Sequence, residues 1–459
     1  KMSKNKTIAA IATPPGTGGV GVIRLSGEKS KEVLRSLWKS HGKSVDNFAS
    51  HRLYLGNFVD PATGEVVDKG MAVWMQAPHS YTGEEVVELQ LHGSPLILDQ
   101  LLAICIRGGC QMAEPGEFTK RAYLNGKIDL SQAEAVADLI HASSEAGARQ
   151  AKEHLAGRLS QKIREFQEEL VRLRAFVEAS IDFPEEDIEL IQKEGILSRL
   201  TPIRLAIAEL LATYKEGRIH REGLKTVLVG RPNAGKSSLL NSLLGIGRAI
   251  VHHQPGTTRD SIEESVSLNG HPFRLFDTAG LREGTEEVEA IGVAKTQELL
   301  QDAELVLWVV DGSSPLQKED FDFLSTLDLS KTIICVNKVD LPLVWDPANL
   351  ISATGDLVKI SALVGEGVTT LKEKMVGWVK RLSARENTGL CVSRLRHKES
   401  LEKAEQSLQE AEQFLQTRGE VELLALHLKK AHEHLGEITG SNISEDLLDK
   451  IFREFCIGK

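Results

Sequence analysis

Cysteine is scarce and unpatterned. The five present, Cys105, Cys110, Cys335, Cys391 and Cys456, stand at no metal-ligand spacing and do not suggest an extracellular disulfide framework. Reduced thiols and a cytoplasmic setting are expected. Long apolar runs are lacking too. No stretch approaches the ~20 apolar residues that span a bilayer, and the opening Lys1-Met2-Ser3-Lys4 is not followed by the apolar core of a signal peptide, so no membrane span is expected. Nor is positive charge in excess: 55 basic and 65 acidic residues give a net charge of −10. That balance excludes a polyanion-binding surface over the whole molecule, and RNA, if bound, needs a local patch or a partner.

What is present fills several domains. A chain of 459 residues exceeds one ordinary core. From Thr7 to Phe118, short apolar runs such as Val20-Gly-Val-Ile-Arg-Leu, Met71-Ala-Val-Trp and Val86-Val-Glu-Leu-Gln-Leu alternate with Gly, Pro and Asp clusters, the pattern of an α+β domain. From Thr119 the period becomes helical: Leu155, Leu159, Ile163, Phe166, Leu170, Leu173 and Val177 recur at spacings of three and four. Helix resumes around Ile196 to Tyr214 and runs up to a polar entrance linker, Glu216 to Gly223. From residue 224 to about 380, apolar runs (Thr226-Val-Leu-Val, Leu305-Val-Leu-Trp-Val-Val, Thr332-Ile-Ile-Cys-Val) alternate with helical stretches, the sign of a parallel α/β sheet. Helical spacing returns with Leu401, Leu408, Ala411 and Leu415. One helical domain (119–222 and 382–459) interrupted by an α/β module (223–381), after an α+β domain (1–118), accounts for this order.

The module carries a nucleotide site. Gly230-Arg-Pro-Asn233-Ala234-Gly235-Lys236-Ser237-Ser238 matches G-x-x-x-x-G-K-[ST] between a strand and a helix. Glycines let backbone N–H groups close round phosphates, Lys236 reaches the outer two phosphates, and the Ser237 hydroxyl ligates Mg²⁺. Alone, the match is also compatible with a Gly-rich turn; its companions decide. Asp277-Thr278-Ala279-Gly280 follows a strand, where Asp277 can hold a magnesium-bound water and the Gly280 N–H can sense the γ-phosphate. Asn337-Lys338-Val-Asp340 follows the next strand, and the Asp340 carboxylate can accept both the N1–H and the exocyclic amine of guanine, donors that adenine does not offer there. Ser361-Ala362-Leu363 completes the base pocket. In Gly256-Thr257-Thr258-Arg-Asp, Thr258 is the hydroxyl expected to close over Mg²⁺ when the γ-phosphate is present. Five motifs in order read as a GTPase with a P-loop (Ras-like) G domain.

One residue type is missing where it matters. After Asp277-Thr-Ala-Gly280 stands Leu281, where signalling GTPases place the glutamine that orients water. Another group must do so. The stretch Asp277 to Gly292, with Gly230-Arg-Pro-Asn-Ala-Gly-Lys-Ser-Ser and Gly256-Thr-Thr-Arg-Asp, resembles the G domain of the MnmE (TrmE) family of bacterial tRNA modification GTPases. Ala12-Thr-Pro-Pro-Gly, Gly19-Val-Gly-Val-Ile-Arg24, Tyr81-Thr-Gly-Glu-Glu, Pro115-Gly-Glu-Phe and the final Cys456-Ile-Gly-Lys459 resemble that family as well, so the likeness covers essentially the whole chain.

The resemblance implies a GTP-dependent pairing of G domains in a homodimer, with K⁺ in place of an arginine finger, held by Asn233 and by His252, Gln254 and Thr257. It places His252, His253, Gln254, Pro255, Gly256, Thr257 and Thr258 in the nucleotide-binding loop, although His252-His253-Gln254-Pro255 departs from the small and apolar residues expected there. Glu289 matches the residue that positions the attacking water; unaided it reads as a solvated helix glutamate. The amino-terminal domain is similar to the tetrahydrofolate-binding fold of aminomethyl transferases, with Arg24, Glu88, Lys127 and the chain-end Lys459 toward a 5-formyltetrahydrofolate or related folate, and Cys456 associated with modification. The implied activity is formation of a 5-carboxymethylaminomethyl-type group on the wobble uridine of tRNA, together with an MnmG (GidA)-like partner that carries FAD.

Other features read plainly. Gly16-Thr-Gly-Gly19 lacks a following Gly-Lys-Ser and is a turn, Cys456 is a poor prenylation box, and His427, His432 and His434 do not share one helical face. Two other functions share parts of the pattern: a ribosome-assembly GTPase of the Era or Der kind, and a folate-dependent one-carbon transferase with a regulatory G domain.

Overall fold

The structure, a computed structural model, describes residues 6–40, 44–182, 193–245, 262–278, 296–350, 356–382, 389–416 and 421–459. The chain forms two compact units, Lys1–Ala137 with Gly436–Lys459, and Asp138–Leu435.

The first unit is built on a seven-stranded sheet. Its strands are β1 (Ile8–Ile11), β2 (Gly18–Ser26), β3 (Trp38–Lys39), β4 (Leu53–Val59), β5 (Val66–Met75), β6 (Val86–Gly93) and β7 (Gln111–Met112), in the order β3-β4-β5-β6-β2-β1-β7. Every neighbouring pair is antiparallel except β1 and β7. Strand alternation sorts β2: Ile23 and Leu25 are buried and pack with residues of the helices α1 (Ser30–Leu37) and α2 (Pro95–Arg107), whereas Arg24 between them points the other way and lies opposite Glu88 of β6. Helices α3 (Glu117–Leu124) and α4 (Leu130–His141) follow. Leu130, Ala133 and Ala137 cluster with Leu448, Ile451, Phe452 and Phe455 from the chain end, and Lys120 pairs with Asp449. The grouping therefore runs past the boundary at Phe118 that the sequence pattern suggests, and takes in the last two dozen or so residues.

In the second unit come α5 (Glu145–Leu155), α6 (Arg158–Asp182), α7 (Lys193–Ala212) and α8 (Tyr214–Glu222). The expected stripe is buried on α6 at Leu159, Ile163, Phe166, Leu170, Leu173 and Val177. The polar segment expected as an entrance linker is itself helical, as α8. The α/β module then begins. Its strands β8 (Leu224–Val229), β9 (Ile262–Leu268), β10 (His271–Asp277), β11 (Leu305–Asp311), β12 (Thr332–Asn337) and β13 (Asp356–Lys359) lie in the order β13-β12-β11-β8-β10-β9. All pairs are parallel save β9 with β10. The helices α9 (Lys236–Leu244), α10 (Lys318–Thr326) and α11 (Val368–Leu382) belong to the module. Burial on both faces explains the apolar runs Leu305 to Val310 of β11 and Ile333 to Val336 of β12. Helices α12 (Leu395–Gln416) and α13 (Val421–Thr439) follow, with Leu401, Leu408, Ala411 and Leu415 buried as expected.

Entry to and exit from the module lie side by side. Arg221 of α8 and Arg394 just before α12 both donate to Asp138 Oδ1, at 2.9 and 2.7 Å. The Val392 N–H donates to Thr213 Oγ1 at 3.0 Å, and buried His154 Nε2 lies 2.7 Å from the Cys391 carbonyl oxygen. Gly217 is needed here, since a Cβ would fall 2.2 Å from the Val392 carbonyl oxygen. Among the described residues no helix is long and apolar enough to cross a membrane.

Candidate functional site

The loop between β8 and α9 is shaped by three residues in the left-handed region. Gly230 (φ 147°), Asn233 (φ 63°) and Gly235 (φ 96°) turn the backbone, and a Cβ on Gly235 would fall 2.1 Å from Asn337 Nδ2. Lys236 is buried and its ammonium donates to the carbonyls of Gly230 and Arg231, each at 2.9 Å. It thus closes the loop on itself over the amino end of α9, where partial positive charge favours anions. Ser237 Oγ donates to Asp277 Oδ2 at 2.9 Å. Parallel pairing of β10 with β8 brings Asp277 to the loop, and the Thr278 hydroxyl anchors the segment by donating to the Leu228 carbonyl at 2.9 Å. A hydroxyl and a buried carboxylate at this spot are the hard oxygens that suit Mg²⁺ held jointly with phosphate. Among the described residues no group of three or more His, Cys, Asp or Glu could hold a metal by itself, including the histidines of α13.

The base side is tied to the phosphate side through one amide. Asn337 is 2% exposed; its Nδ2 donates to the Ala234 carbonyl at 2.8 Å and its Oδ1 accepts from the Ala362 N–H at 2.9 Å. Lys338 follows in a left-handed conformation, φ 66°. Asp340 is exposed, Ser361 is buried and Leu363 is 84% exposed. The structure brings Ala234, Asn337 and Ala362 together, and Lys236, Ser237 and Asp277 together, while Asn233 and Ser238 are exposed at the rim. His252, His253, Gln254, Pro255, Gly256, Thr257, Thr258, Ala279, Gly280, Leu281 and Glu289 lie outside the described residues. Sequence reasoning missed Asp311, which accepts from Lys338 Nζ at 2.7 Å; its signal is only that an aspartate ends an otherwise apolar strand.

The first unit gathers a second set of residues. The Arg24 guanidinium is paired with Glu88 at 2.9 Å and donates to the Gly458 carbonyl at 3.3 Å, between the rings of Tyr81 and Phe118, each centred 5.7 Å from it. Gly458, at φ 92°, lets the tail approach so closely that a Cβ would lie 2.4 Å from the Ile11 carbonyl oxygen. Burial and the neighbouring Arg24 pull the Lys459 ammonium below its ordinary pKa, with Glu88 opposing. Burial raises the Tyr81 phenol, although its hydroxyl bonds Thr119 and Arg24 is near. Lys127 is exposed and donates to the Pro78 carbonyl at 3.1 Å. Cys456 is exposed, and its carbonyl accepts from the Gly116 N–H at 3.3 Å. Two cations, a carboxylate and two aromatic rings form a donor set that fits an acidic, aromatic ligand such as a folate.

Two family models match this chain: "GTP-binding protein TrmE N-terminus" over residues 7–127 and "MnmE helical domain" over residues 130–456. A protein of Clostridioides difficile (strain 630) described as tRNA modification GTPase MnmE is 43% identical over 100% of both chains. One of Heliobacterium modesticaldum with the same description is 44% identical over 99% of both. Among solved structures, the G domain of the T. maritima FeoB iron transporter is 30% identical, covering 34% of this chain and 98% of its own, with a TM-score of 0.27. End-to-end identity of this size, together with a phosphate loop inserted in a helical frame, places the chain in the MnmE (TrmE) family of tRNA modification GTPases.

Proposed function

We propose that this chain hydrolyses GTP and uses the cycle to drive formation of a 5-carboxymethylaminomethyl-type group on the wobble uridine of tRNA, in the cytoplasm, as a homodimer working with an MnmG (GidA)-like flavoprotein whose FAD does the redox work. The observation that carries the reading is the pair of junctions at the G site, Ser237 to Asp277 and Asn337 to both Ala234 and Ala362, in a chain that aligns end to end with tRNA modification GTPases.

Lys236 exchanges the carbonyls of Gly230 and Arg231 for the two outer phosphate groups, whose charge it neutralises. Ser237 and Thr258 would hold Mg²⁺ and Asp277 a water bound to it, and the ion would supply charge stabilisation on the phosphates. The Gly280 N–H senses the γ-phosphate, Ala279 belongs to the same GTP-binding motif, and Asp340 reads guanine. Glu289 positions the attacking water in the place of the glutamine that Leu281 lacks. Asn233, His252, Gln254 and Thr257 hold K⁺. In the first unit Glu88 accepts the pterin donors while Arg24, Lys127 and Lys459 hold the acidic and carbonyl groups of a 5-formyl- or related tetrahydrofolate, which supplies the one-carbon unit; Cys456 lies on the same tail. In this reading the chain divides into 1–118, 119–222, 223–381 and 382–459. Mass analysis of tRNA nucleosides from cells with and without the gene tests the proposal: the carboxymethylaminomethyl-type uridine should disappear, and its persistence would overturn it.

A further inference from the structure

The base-reading loop stands on a support outside the nucleotide motifs. Strand β11 ends at Asp311, and the loop from Lys338 to Trp345, which carries Asp340, is fastened to Asp311 and Gly312 at both ends. At its start Lys338 Nζ donates to Asp311 Oδ2 at 2.7 Å, and the Gly312 N–H donates to the Asn337 carbonyl at 2.9 Å. At its end the Val344 N–H donates to the Gly312 carbonyl at 3.1 Å, and Trp345 Nε1–H donates to the Asp311 carbonyl at 3.1 Å. Between these points Leu343 packs so closely on Gly312 that a Cβ there would fall 2.5 Å from its Cδ2. The second Asp311 oxygen, Oδ1, is fixed by the N–H and hydroxyl of Ser313 at 2.9 and 2.7 Å. Burial opposes ionisation of Asp311, but Lys338 and Ser313 outweigh it and hold the carboxyl below the usual carboxylate range. Lys338 meanwhile keeps φ at 66°, a conformation that a non-glycine residue retains when its surroundings impose it.

We infer that Asp311, with Gly312 beneath the loop, is a positioning residue for guanine recognition: it sets the loop so that the Asp340 carboxylate meets both the N1–H and the exocyclic amine. This rests on the reading of Asp340 given above. Asp311 acts through Lys338 and the loop backbone, not by contact with the base. A carboxylate that must accept two hydrogen bonds at once tolerates little displacement, because each weakens steeply off its line.

The test compares the full-length protein's affinities for GDP and inosine diphosphate, which lacks only the exocyclic amine. Asp311→Asn keeps the size of the side chain and an acceptor for Ser313, and removes the charge facing Lys338. The preference for GDP over inosine diphosphate should fall by about tenfold, most of one hydrogen bond to a charged group, with affinity for inosine diphosphate changing less. General damage to the fold lowers both affinities by one factor and leaves the preference intact. An equal fall for both ligands, or an unchanged preference, would overturn the inference. Trp345→Phe removes only the N–H to the Asp311 carbonyl and should lower the preference by roughly threefold; it decides the matter if Asp311→Asn does not fold, and an unchanged preference then counts against the role. Asp340→Asn separates the two levels: if it leaves the preference unchanged, the reading of Asp340 fails, whereas if it removes the preference and Asp311→Asn does not shift it, only the support role fails.

Discussion

Asn337→Asp puts a carboxyl group where the amide joins the phosphate loop to the base loop. One oxygen still accepts from the Ala362 N–H, 2.9 Å from the present Oδ1, but the other takes the place of Nδ2, 2.8 Å from the Ala234 carbonyl oxygen. Ionised, it faces that carbonyl with no donor between them, at a site that is 2% exposed. Leaving a buried carbonyl unsatisfied costs about 1–3 kcal/mol, and burying the charge costs several more. The charge penalty has a ceiling, because the group can keep its proton: about 1.4 kcal/mol per pH unit above a free carboxyl value of about 3.9. That is about 5.5 kcal/mol at pH 8 and about 3 kcal/mol at pH 6. Once protonated, the hydroxyl donates to the Ala234 carbonyl and restores the junction. The carboxyl's pKa is raised in the folded protein, so the penalty is full above that value and is lost as pH falls through it. GDP affinity relative to wild type, measured by equilibrium binding at each pH, should be reduced at least about a hundredfold at pH 8 and should recover by up to about tenfold per unit toward pH 6. Taking the ratio cancels the titration of the nucleotide. A ratio near one at pH 8, or a reduced ratio that stays flat across the range, would refute the role given to this amide.

Glu289→Ala should lower single-turnover GTP hydrolysis about a hundredfold, roughly 2.7 kcal/mol, with GTP affinity near wild type; near-normal hydrolysis would return the residue to a solvated helix face. Replacing K⁺ by Na⁺ should slow GTP turnover and weaken G-domain pairing, read by sedimentation on a transition-state mimic, and equal behaviour in both salts would remove Asn233 from a cation site. His220 is held to about 4 by burial, by His271 and by Arg149, its ring 6.3 Å from that of His271. It therefore stays neutral in the fold, and stability present above pH 6.5 should be lost as pH falls toward 4, by up to about 3 kcal/mol; thermal melts of His220→Gln should show a shallower acid decline. Gly458→Ala forces a Cβ to 2.4 Å from the Ile11 carbonyl oxygen at φ 92°, and should weaken folate binding by at least about tenfold through displacement of the tail from Arg24; calorimetry with a tetrahydrofolate checks it.

The phosphate loop was legible because its backbone dictates residue types: no side chain fits at Gly235 against Asn337, and only a long cation reaches across at Lys236. The strands were legible for a related reason, since burial on both faces leaves β11 apolar up to Asp311 and β12 apolar between Thr332 and Asn337. What periodicity cannot say is which partner a buried face meets. Leu130, Ala133 and Ala137 carry an ordinary helical stripe, and nothing in it announces that Phe452 and Phe455, some three hundred residues onward, cover it. The charged α8 reads as a linker because it buries only Gly217 and a single apolar side chain, Ile219, and otherwise carries ion-pairing residues, with no apolar stripe. Asp311 escaped notice because its role depends on two strands being neighbours, a fact of topology.

The two arginines that meet on Asp138 have a consequence for how such a chain comes to exist. Because Arg221 and Arg394 grip one carboxylate, everything between them is, to the frame, a single surface loop whose ends are already closed. Lengthening a closed loop adds entropy cost only logarithmically, so a turn at this junction could accept an entire folded module with little penalty to its host. The same junction is where that module could be excised, or exchanged for another, with the frame left to fold around its own clasp.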